Sequence, residues 1–153
     1  MEDAASAVMR SMREPAVVPG AGALEAQCCH DLHHAVRRRD TGVAPSERTA
    51  VEAFAAALLE LPQALLENGG CDSEGIIGAL MQAHQDGGVS IGVDVVAGTT
   101  VDGLACGIYE PLAGKLHAYR NATETACGIL STGECITIPA RREAKARRGA
   151  PLG

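Results

Sequence analysis

The segment VVPGAGALE, residues 17–25, decides how the chain is interpreted. Residues 16–19 favour a short extended stretch, because valine fits an extended backbone and proline fixes φ. Gly20 and Gly22 then let the chain turn without the steric penalty of a Cβ. The segment therefore predicts a strand, a glycine turn and a helix that runs to about Arg39.

Helical periodicity dominates the chain on both sides of this segment. Residues 3–14 predict the end of a helix that Pro15 stops. Ser46 is the predicted N-cap of the clearest amphipathic helix. The apolar positions of that helix recur every three or four residues: Val51, Phe54, Ala55, Leu58, Leu59, Pro62, Leu65 and Leu66. Because proline lacks an N–H, Pro62 predicts a kink or a second short helix.

The following elements are shorter. Residues 68–70, Asn-Gly-Gly, predict a left-handed C-cap, and Asp72 or Ser73 can cap a helix that reaches about Gln85. Apolar residues alternate with other types across residues 90–104, around an Ala-Gly-Thr turn, and this pattern predicts a β-hairpin.

A long helix and a short strand are predicted last. Glu110 and Pro111 are expected to begin the helix. Its predicted buried stripe comprises Leu112, Leu116, Tyr119, Ala122, Ala126, Ile129 and Leu130. Residues 135–138 predict a terminal strand, and residues 139–153 predict a basic, disordered tail.

Composition excludes several classes of function. Aromatic residues are only 2% of the 153 residues, so the chain cannot build the stacking platforms of RRM-like or OB-like nucleic-acid binders. The net charge is −6, and since residues 139–153 carry +4, the remainder carries −10. An acidic body is a poor binder of nucleic acid, and none is expected as a partner.

The six cysteines lie within apolar runs, and the first residues show no secretion signal. No uncharged run of 18 mostly apolar residues is hydrophobic enough to span a bilayer. These features predict a cytoplasmic protein with reduced thiols and no membrane partner.

Several segments together resemble group II chaperonins. Residues 17–25 are similar to the family's Val-Val-Pro-Gly-Gly-Gly-Ala-x-Glu segment. Further similar segments follow in the family's order: Ala53 to Pro62, Glu67 to Asp72, Gly92-Val93-Asp94, Asp102, Gly107 to Pro111 and Ala122 to Ala126. Each segment alone is a weak signal, but their common order from residue 3 to about 138 is specific. Within the eukaryotic cytosolic chaperonin (CCT), the beta subunit looks nearest.

The resemblance implies a mainly α fold: the C-terminal half of a chaperonin equatorial (ATP-binding) domain with a small β-hairpin and a terminal β-strand. Residues 1–15 would be the end of an intermediate-domain helix, residues 16–138 the C-terminal part of the equatorial domain, and residues 139–153 the tail. The implied partners are other chaperonin subunits in a hetero-oligomeric double ring and, as a family property, unfolded client proteins.

The resemblance also implies an ATP site. Asp3 matches the aspartate that positions the attacking water, although by itself it is also an acidic residue of a frayed N-terminus. Glu110 matches the carboxylate that accepts hydrogen bonds from ribose hydroxyls; from position alone it could compensate the charge of a helix N-terminus. The other matched cofactor-binding positions are Gly20, Ala21, Gly22, Gly92, Val93, Asp94 and Ile108. Ala21 departs from the family's glycine and is expected to narrow the pocket.

The phosphate-binding half of the family site has no counterpart in the sequence. The family's Gly-Asp-Gly-Thr-Thr segment and glycine-rich phosphate loop, which hold the phosphates and Mg²⁺, are missing. The chain alone is therefore expected to bind ATP weakly at best and not to hydrolyse it.

Other interpretations remain open. Cys28, Cys29, His30, His33 and His34 cluster on one helix, but no fourth zinc ligand has suitable spacing, so a polar helix face is expected and no metal site. A cysteine nucleophile lacks oxyanion donors and an orienting group. A non-catalytic helical interaction module, which would use residues 90–104 and 135–138 as sheet edges, is the second hypothesis. A truncated, non-functional gene product is the third.

Overall fold

The computed structural model describes residues 5, 6, 8, 9, 12, 14–38 and 42–134. In chain order the elements are β1 Val17–Pro19, α1 Ala23–Arg37, α2 Arg48–Asn68, α3 Ser73–Gln85, β2 Ile91–Asp94, β3 Thr99–Asp102, β4 Tyr109–Pro111 and α4 Leu112–Leu130. The described residues before Glu14 are helical and exposed. The chain divides into two compact units, Met1–Ala118 and Tyr119–Gly153, and the division falls within α4.

Two antiparallel strand pairs organise the first unit. β2 and β3 form the hairpin that the alternation predicted, with Ile91 opposite Asp102 and Asp94 opposite Thr99. β1 pairs with β4 across a long separation in sequence, so that Val18 lies opposite Glu110. The expectation that Glu110 begins a helix is wrong, because pairing with β1 holds residues 109–111 extended and the helix begins at Leu112.

The core lies where α1, α2 and α3 pack around β2. One buried side chain from each element meets there: Ala26, Leu66, Leu80 and Val93. α1 packs mainly on α2, and α3 packs on both. The core is entirely aliphatic, as the low aromatic content requires, and it fixes the positions of the first turn of α1 and of the hairpin.

The predicted start of α2 was wrong by one residue. Glu47, not Ser46, is the N-cap, and it has helical dihedral angles and no side-chain cap bond. Instead the Glu47 carboxylate accepts a hydrogen bond from the backbone N–H of Ala44, at 3.1 Å. The acidic side chain therefore closes the preceding turn and Ser46 is not needed as a cap.

α2 continues through Pro62 as one element, so the predicted second short helix is absent from the described residues 48–68. Pro62 is buried, and its Cβ faces the Cβ-less Gly22. Because Gly22 has no Cβ, the proline ring fits against the glycine turn.

The Asn-Gly-Gly end of α2 and the cap of α3 match their predictions. Gly70 has φ +74°, and the N–H groups of Gly70 and Cys71 donate to the carbonyls of Glu67 and Leu66. This is a Schellman arrangement, in which glycine takes the left-handed position. The Asp72 side chain then accepts from the N–H of Gly75 and caps α3.

The predicted buried stripe of α4 is not buried. Leu112 and Tyr119 are partly covered, whereas Leu116, Ala122, Ala126, Ile129 and Leu130 are exposed. The second unit, described by itself, offers no second element among its described residues to cover the stripe. Apolar periodicity identifies a face, but burial also requires an element that packs on it.

By length and composition, the helix Arg48–Asn68 could cross a membrane, with a mean hydropathy of 1.3. The sequence predicted no membrane-spanning segment because only uncharged runs were considered, whereas this helix contains glutamates. Four of its residues are buried on α1 and α3: Ala55, Leu58, Pro62 and Leu66. Core helices of globular proteins share this composition, and the absence of a membrane partner remains a prediction.

Three sequence predictions lie outside the described residues. They concern Asp3, the terminal strand 135–138 and the tail 139–153. The predicted domain boundaries near residues 15 and 138 also remain predictions. The five cysteines within the described part of the chain carry free thiols.

A buried histidine connects three elements of the core. His84, on α3, is 2% exposed. Its Nε2 lies 2.8 Å from the carbonyl oxygen of Ile91 in β2, and its Nδ1 lies 2.8 Å from the side-chain amide of Gln27 in α1. Gln27 in turn donates to Asp31, at 2.9 Å. Burial lowers the pKa of His84, and this effect outweighs the hydrogen bond to Ile91, which would raise it.

Acid should therefore destabilise the fold through His84. The ordinary pKa is 6.5 and the folded value is lower, so the unfolded chain binds more protons as the pH falls below 6.5. We expect the free energy of unfolding to decrease by at most about 1.4 kcal/mol per pH unit from this group. Urea unfolding between pH 7.5 and 5 measures it.

The His84→Gln variant should lose this component of the pH dependence, although its stability at pH 7.5 will also fall. The exposed His34 on α1 provides the matched control, and His34→Gln should keep the wild-type slope. An unchanged slope in His84→Gln would contradict the assignment.

Candidate functional site

A cavity of about 290 Å³ lies in the first unit, beside the N-terminus of α1. Its lining comes from the glycine turn, α1, α2, β4 and α4: Ala21, Gly22, Glu25, Leu61, Pro62, Ala64, Leu65, Asn68, Glu110 and Lys115. Ligand pockets are commonly about 300–1,000 Å³, so the cavity lies just below that range. Apolar walls with a few convergent charged groups are typical of a small-molecule site.

The turn between β1 and α1 forms one side of the cavity. Gly22 has φ +78°, and a Cβ added to it would lie 2.7 Å from the Cβ of Pro62. Glycine is therefore required both by the backbone conformation and by the close approach of α2. A Cβ on Gly20 would lie 2.9 Å from Ile108 and 3.2 Å from the Oε1 atom of Glu110. The two glycines bring the main chain close to the groups that surround the cavity.

Ala21 has φ +57°, a left-handed conformation that costs an L-residue roughly 1–2 kcal/mol. Its carbonyl oxygen accepts a hydrogen bond from the N–H of Val93, at 2.8 Å. Neighbouring Gly92 allows the approach, since a Cβ there would lie 2.5 Å from that oxygen. Alanine in place of the family's glycine is thus strained, and its methyl lies beside Gly92, where an added Cβ would approach it to 2.8 Å. A narrowing of the pocket by this methyl remains a prediction.

A chain of three charges crosses the cavity. The Lys115 ammonium lies 2.6 Å from Oε1 of Glu25 and 2.7 Å from Oε2 of Glu110. Glu25 is 1% exposed, Lys115 18% and Glu110 37%, so the chain runs from the interior to the solvent. Burial would lower the pKa of Lys115, but its ion pairs with Glu110 and Glu25 outweigh burial and raise that pKa. The lysine therefore stays positively charged.

The structure separates the sequence-predicted site residues by location. Ala21, Gly22 and Glu110 line the cavity. Three further predicted residues contact the turn or belong to it: Gly20, Gly92 and Ile108. Gly92 packs against Ala21, and the Ile108 carbonyl accepts from the N–H of Gly20, at 3.0 Å. These positions are close together despite their separation in sequence.

Two predicted residues have other structural roles. Val93 is a buried member of the aliphatic core. Asp94 begins the hairpin turn, where its Oδ1 accepts from the N–H groups of Val96 and Ala97. These hydrogen bonds lower the pKa of Asp94, so the carboxylate is ionised in the turn. A direct contact of either residue with a ligand remains a prediction.

Glu25 and Lys115 were missed as site residues. Glu25 was visible within the 17–25 segment, and its place beside the small residues of the buried face of α1 could have marked it as a buried charge. Lys115 lies five residues after Glu110, but nothing in that spacing shows that the strand ends and the helix begins between them. The contact between Glu25 and Lys115 depends on the β1–β4 pairing.

The cysteine and histidine cluster on α1 shows neither metal-site geometry nor an activated thiol. Among the described residues, no three of the histidine, cysteine, aspartate and glutamate side chains are arranged to hold a metal ion. Burial raises the pKa of the Cys28 and Cys29 thiols, with a further contribution from Asp31 and Glu25 at Cys28. A raised pKa disfavours the thiolate that a nucleophile needs.

The sequence profile of the TCP-1/cpn60 chaperonin family matches residues 1–138. The chain belongs to this family. Its relatives include T-complex protein 1 subunit eta of Arabidopsis thaliana, 32% identical over all of this chain and 27% of the relative. A thermosome subunit of Methanopyrus kandleri is 39% identical over 89% of this chain and 24% of the relative. The chaperonin assignment from the ordered segments is thereby confirmed.

A solved structure shows the same fold. The open-state monomer of a group II chaperonin from Methanococcoides burtonii superposes with a TM-score of 0.70, at 33% identity over 76% of this chain. The fold is therefore the expected mainly α part of a chaperonin equatorial domain. The chain spans about a quarter of the length of these relatives. The likeness to the CCT beta subunit stays a prediction.

The contact between Gly92 and Ala21 predicts a strong effect of one methyl group. Gly92→Ala would place a Cβ against the Ala21 backbone, and we expect a loss of about 1–3 kcal/mol in the free energy of unfolding. Gly78 in α3 is the control, because an added Cβ there would meet nothing within 4 Å beyond its own stretch of helix backbone. Gly78→Ala should be neutral or stabilise by up to about 1 kcal/mol. Equal effects in urea unfolding would contradict the close approach.

Proposed function

We propose that this chain supplies the base-and-ribose side of the ATP site of a chaperonin subunit. The observation that carries the proposal is the cavity beside the glycine turn, with the Glu110 carboxylate fixed at its mouth. In this proposal residues 16–138 act as the C-terminal part of an equatorial domain, and residues 1–15 belong to an intermediate-domain helix.

The cavity suits a nucleoside in shape and polarity. Leu61, Pro62 and Leu65 provide apolar walls on which a flat base can lie. Gly22, whose lack of a Cβ allows Pro62 to approach closely, closes the cavity beside these side chains. A volume of about 290 Å³ holds a small ligand but not a large one.

Glu110 is the proposed acceptor for ribose hydroxyls. Lys115 holds its Oε2 atom, while its Oε1 atom lies on the side of Gly20. A carboxylate accepts hydrogen bonds from a pair of neighbouring hydroxyls, and bonds to a charged acceptor are about twice as strong as neutral ones.

We propose that residues outside this cavity bind the phosphates and Mg²⁺. Lys115 is the one cation among the described lining residues, and it already binds two carboxylates. Because both carboxylates are paired with this lysine, we do not assign them as magnesium ligands. Mg²⁺ would be held mainly by residues that this chain lacks, where it neutralises the charge of the phosphates. Asp3 keeps its proposed role in positioning the attacking water. The chain alone is proposed to bind weakly and not to hydrolyse ATP.

Titration of the ¹⁵N-labelled chain with adenosine tests the proposal. We expect saturable NMR shifts of the amides of residues 20–22. Glu110→Gln should weaken adenosine binding about tenfold, the value of one charge-assisted hydrogen bond, and should leave binding of free adenine unchanged. The purified chain should release no phosphate from ATP in the presence of Mg²⁺.

Glu124→Gln is the matched control, because Glu124 is an exposed carboxylate on α4. It should bind adenosine as the wild type does. The absence of saturable shifts, or equal weakening of adenine and adenosine by Glu110→Gln, would refute the site. Magnesium-dependent phosphate release by the chain alone would refute the second part.

A second candidate function is that of a non-catalytic interaction module, favoured by the exposed apolar side chains of α4. Ile129 and Leu130 are 69% and 84% exposed. Contiguous exposed apolar surface usually marks an interface. We propose that other chaperonin subunits of a cytoplasmic double ring cover this surface and that the assembled ring, not this chain, acts on unfolded clients. A truncated product without a role would show neither property.

Co-expression of the tagged chain with chaperonin subunits tests the module. We expect part of the chain to elute with the ring in size-exclusion chromatography. The Ile129→Ser and Leu130→Ser double variant should be lost from the ring fraction, whereas Glu124→Gln should remain there. Elution of the wild-type chain outside the ring fraction would refute assembly.

A further inference from the structure

The buried carboxylate of Glu25 requires an explanation. Carboxylates are almost never fully buried without a partner, because their desolvation is expensive. Here the charge of Glu25 is balanced by Lys115, with 2.6 Å between the Oε1 and Nζ atoms. A buried ion pair is weak evidence for stability, since well-packed apolar residues often serve as well. Its position beside the cavity points to a role in the site.

Lys115 connects this buried charge to the partly exposed one. The same ammonium lies 2.7 Å from Oε2 of Glu110, on a different element. Lysine carries three donors in a compact head group, so it can bind Glu25 and Glu110 at once. Glu25 limits the motion of the lysine, and the lysine in turn limits the motion of Glu110.

Removal of the lysine charge would change Glu110 directly. Two carboxylates would then face one cavity, and like charges at close range repel each other. Glu110 is 37% exposed and has room to turn toward water, whereas Glu25 on α1 is enclosed. The carboxylate proposed to meet the ribose would therefore lose its fixed orientation.

We propose that Lys115, anchored by Glu25, is the positioning residue that holds the Glu110 carboxylate for ribose hydroxyls and so sets the preference for a ribose over a deoxyribose. The inference rests on the proposed nucleoside site and extends it to the sugar specificity of that site. Lys115 itself touches neither the base nor the phosphates in this arrangement.

The ratio of two dissociation constants separates positioning from mere stabilisation. The full 153-residue chain is titrated with adenosine and with 2′,3′-dideoxyadenosine, followed by NMR. We expect the wild type to bind adenosine about tenfold more tightly, the value of a hydrogen bond to a charged group. Lys115→Met keeps the length of the side chain but removes its charge, and the ratio should fall below about twofold.

Two further variants complete the test. Arg120→Met removes an exposed cation from the same helix and should keep the wild-type ratio. Glu25→Gln leaves Lys115 and Glu110 in place but removes the anchor charge, and the ratio should also fall. If Lys115→Met does not fold, Glu25→Gln decides the question.

The outcomes distinguish the two proposals. If the wild type discriminates and neither Lys115→Met nor Glu25→Gln changes the ratio, the positioning role is wrong and the nucleoside site stands. If the wild type binds both nucleosides equally well, the positioning role fails and only base binding remains. If the wild type binds neither nucleoside, the proposed function and this inference are both overturned.

Discussion

The close approach of two main-chain segments underlies the rest of the structure. The Ala21 carbonyl accepts from the N–H of Val93, and Gly92 must lack a Cβ for the segments to come this near. Val93 meanwhile buries its side chain in the core with Ala26 and Leu66. The hydrogen bond therefore links the turn before α1 to the hairpin. It fixes the position of the turn, which forms one side of the cavity.

The three charged residues at the cavity come from different elements and differ in their exposure to solvent. Glu25 comes from the first turns of α1, which the core fixes, while Glu110 comes from β4, which pairs with β1. Lys115 lies in the first turn of α4 and reaches both. A lysine between two carboxylates keeps its charge even when partly buried, because its attraction to both outweighs its desolvation. The result is a fixed carboxylate at the mouth of a cavity whose remaining walls are mostly apolar.

Local signals in the sequence predicted the elements well where the local chemistry decides them. The Asn-Gly-Gly end of α2, the Asp72 cap and the β2–β3 hairpin match their predictions because each depends on a few adjacent residues. Predictions failed where a distant partner decides. Glu110 was expected in a helix and is held in a strand by its pairing with Val18. Pro62 was expected to cause a kink or a second short helix, and the second helix is absent from residues 48–68, where α2 continues beside Gly22.

The sequence by itself determined the aliphatic core, the order of the helices and of the β2–β3 hairpin, and the chaperonin resemblance. Apolar periodicity and the residues that begin or end elements are local properties of the sequence, and the motifs occur in a specific order. Only the tertiary structure decided which of the matched residues share a cavity. It brings Ala21, Gly22 and Glu110 together, places Val93 in the core and Asp94 in a turn, and adds Glu25 and Lys115. The physical reason is that the Lys115–Glu25 ion pair joins residues 90 positions apart, and that backbone contacts such as Val18 with Glu110 also join distant segments, which no local pattern specifies.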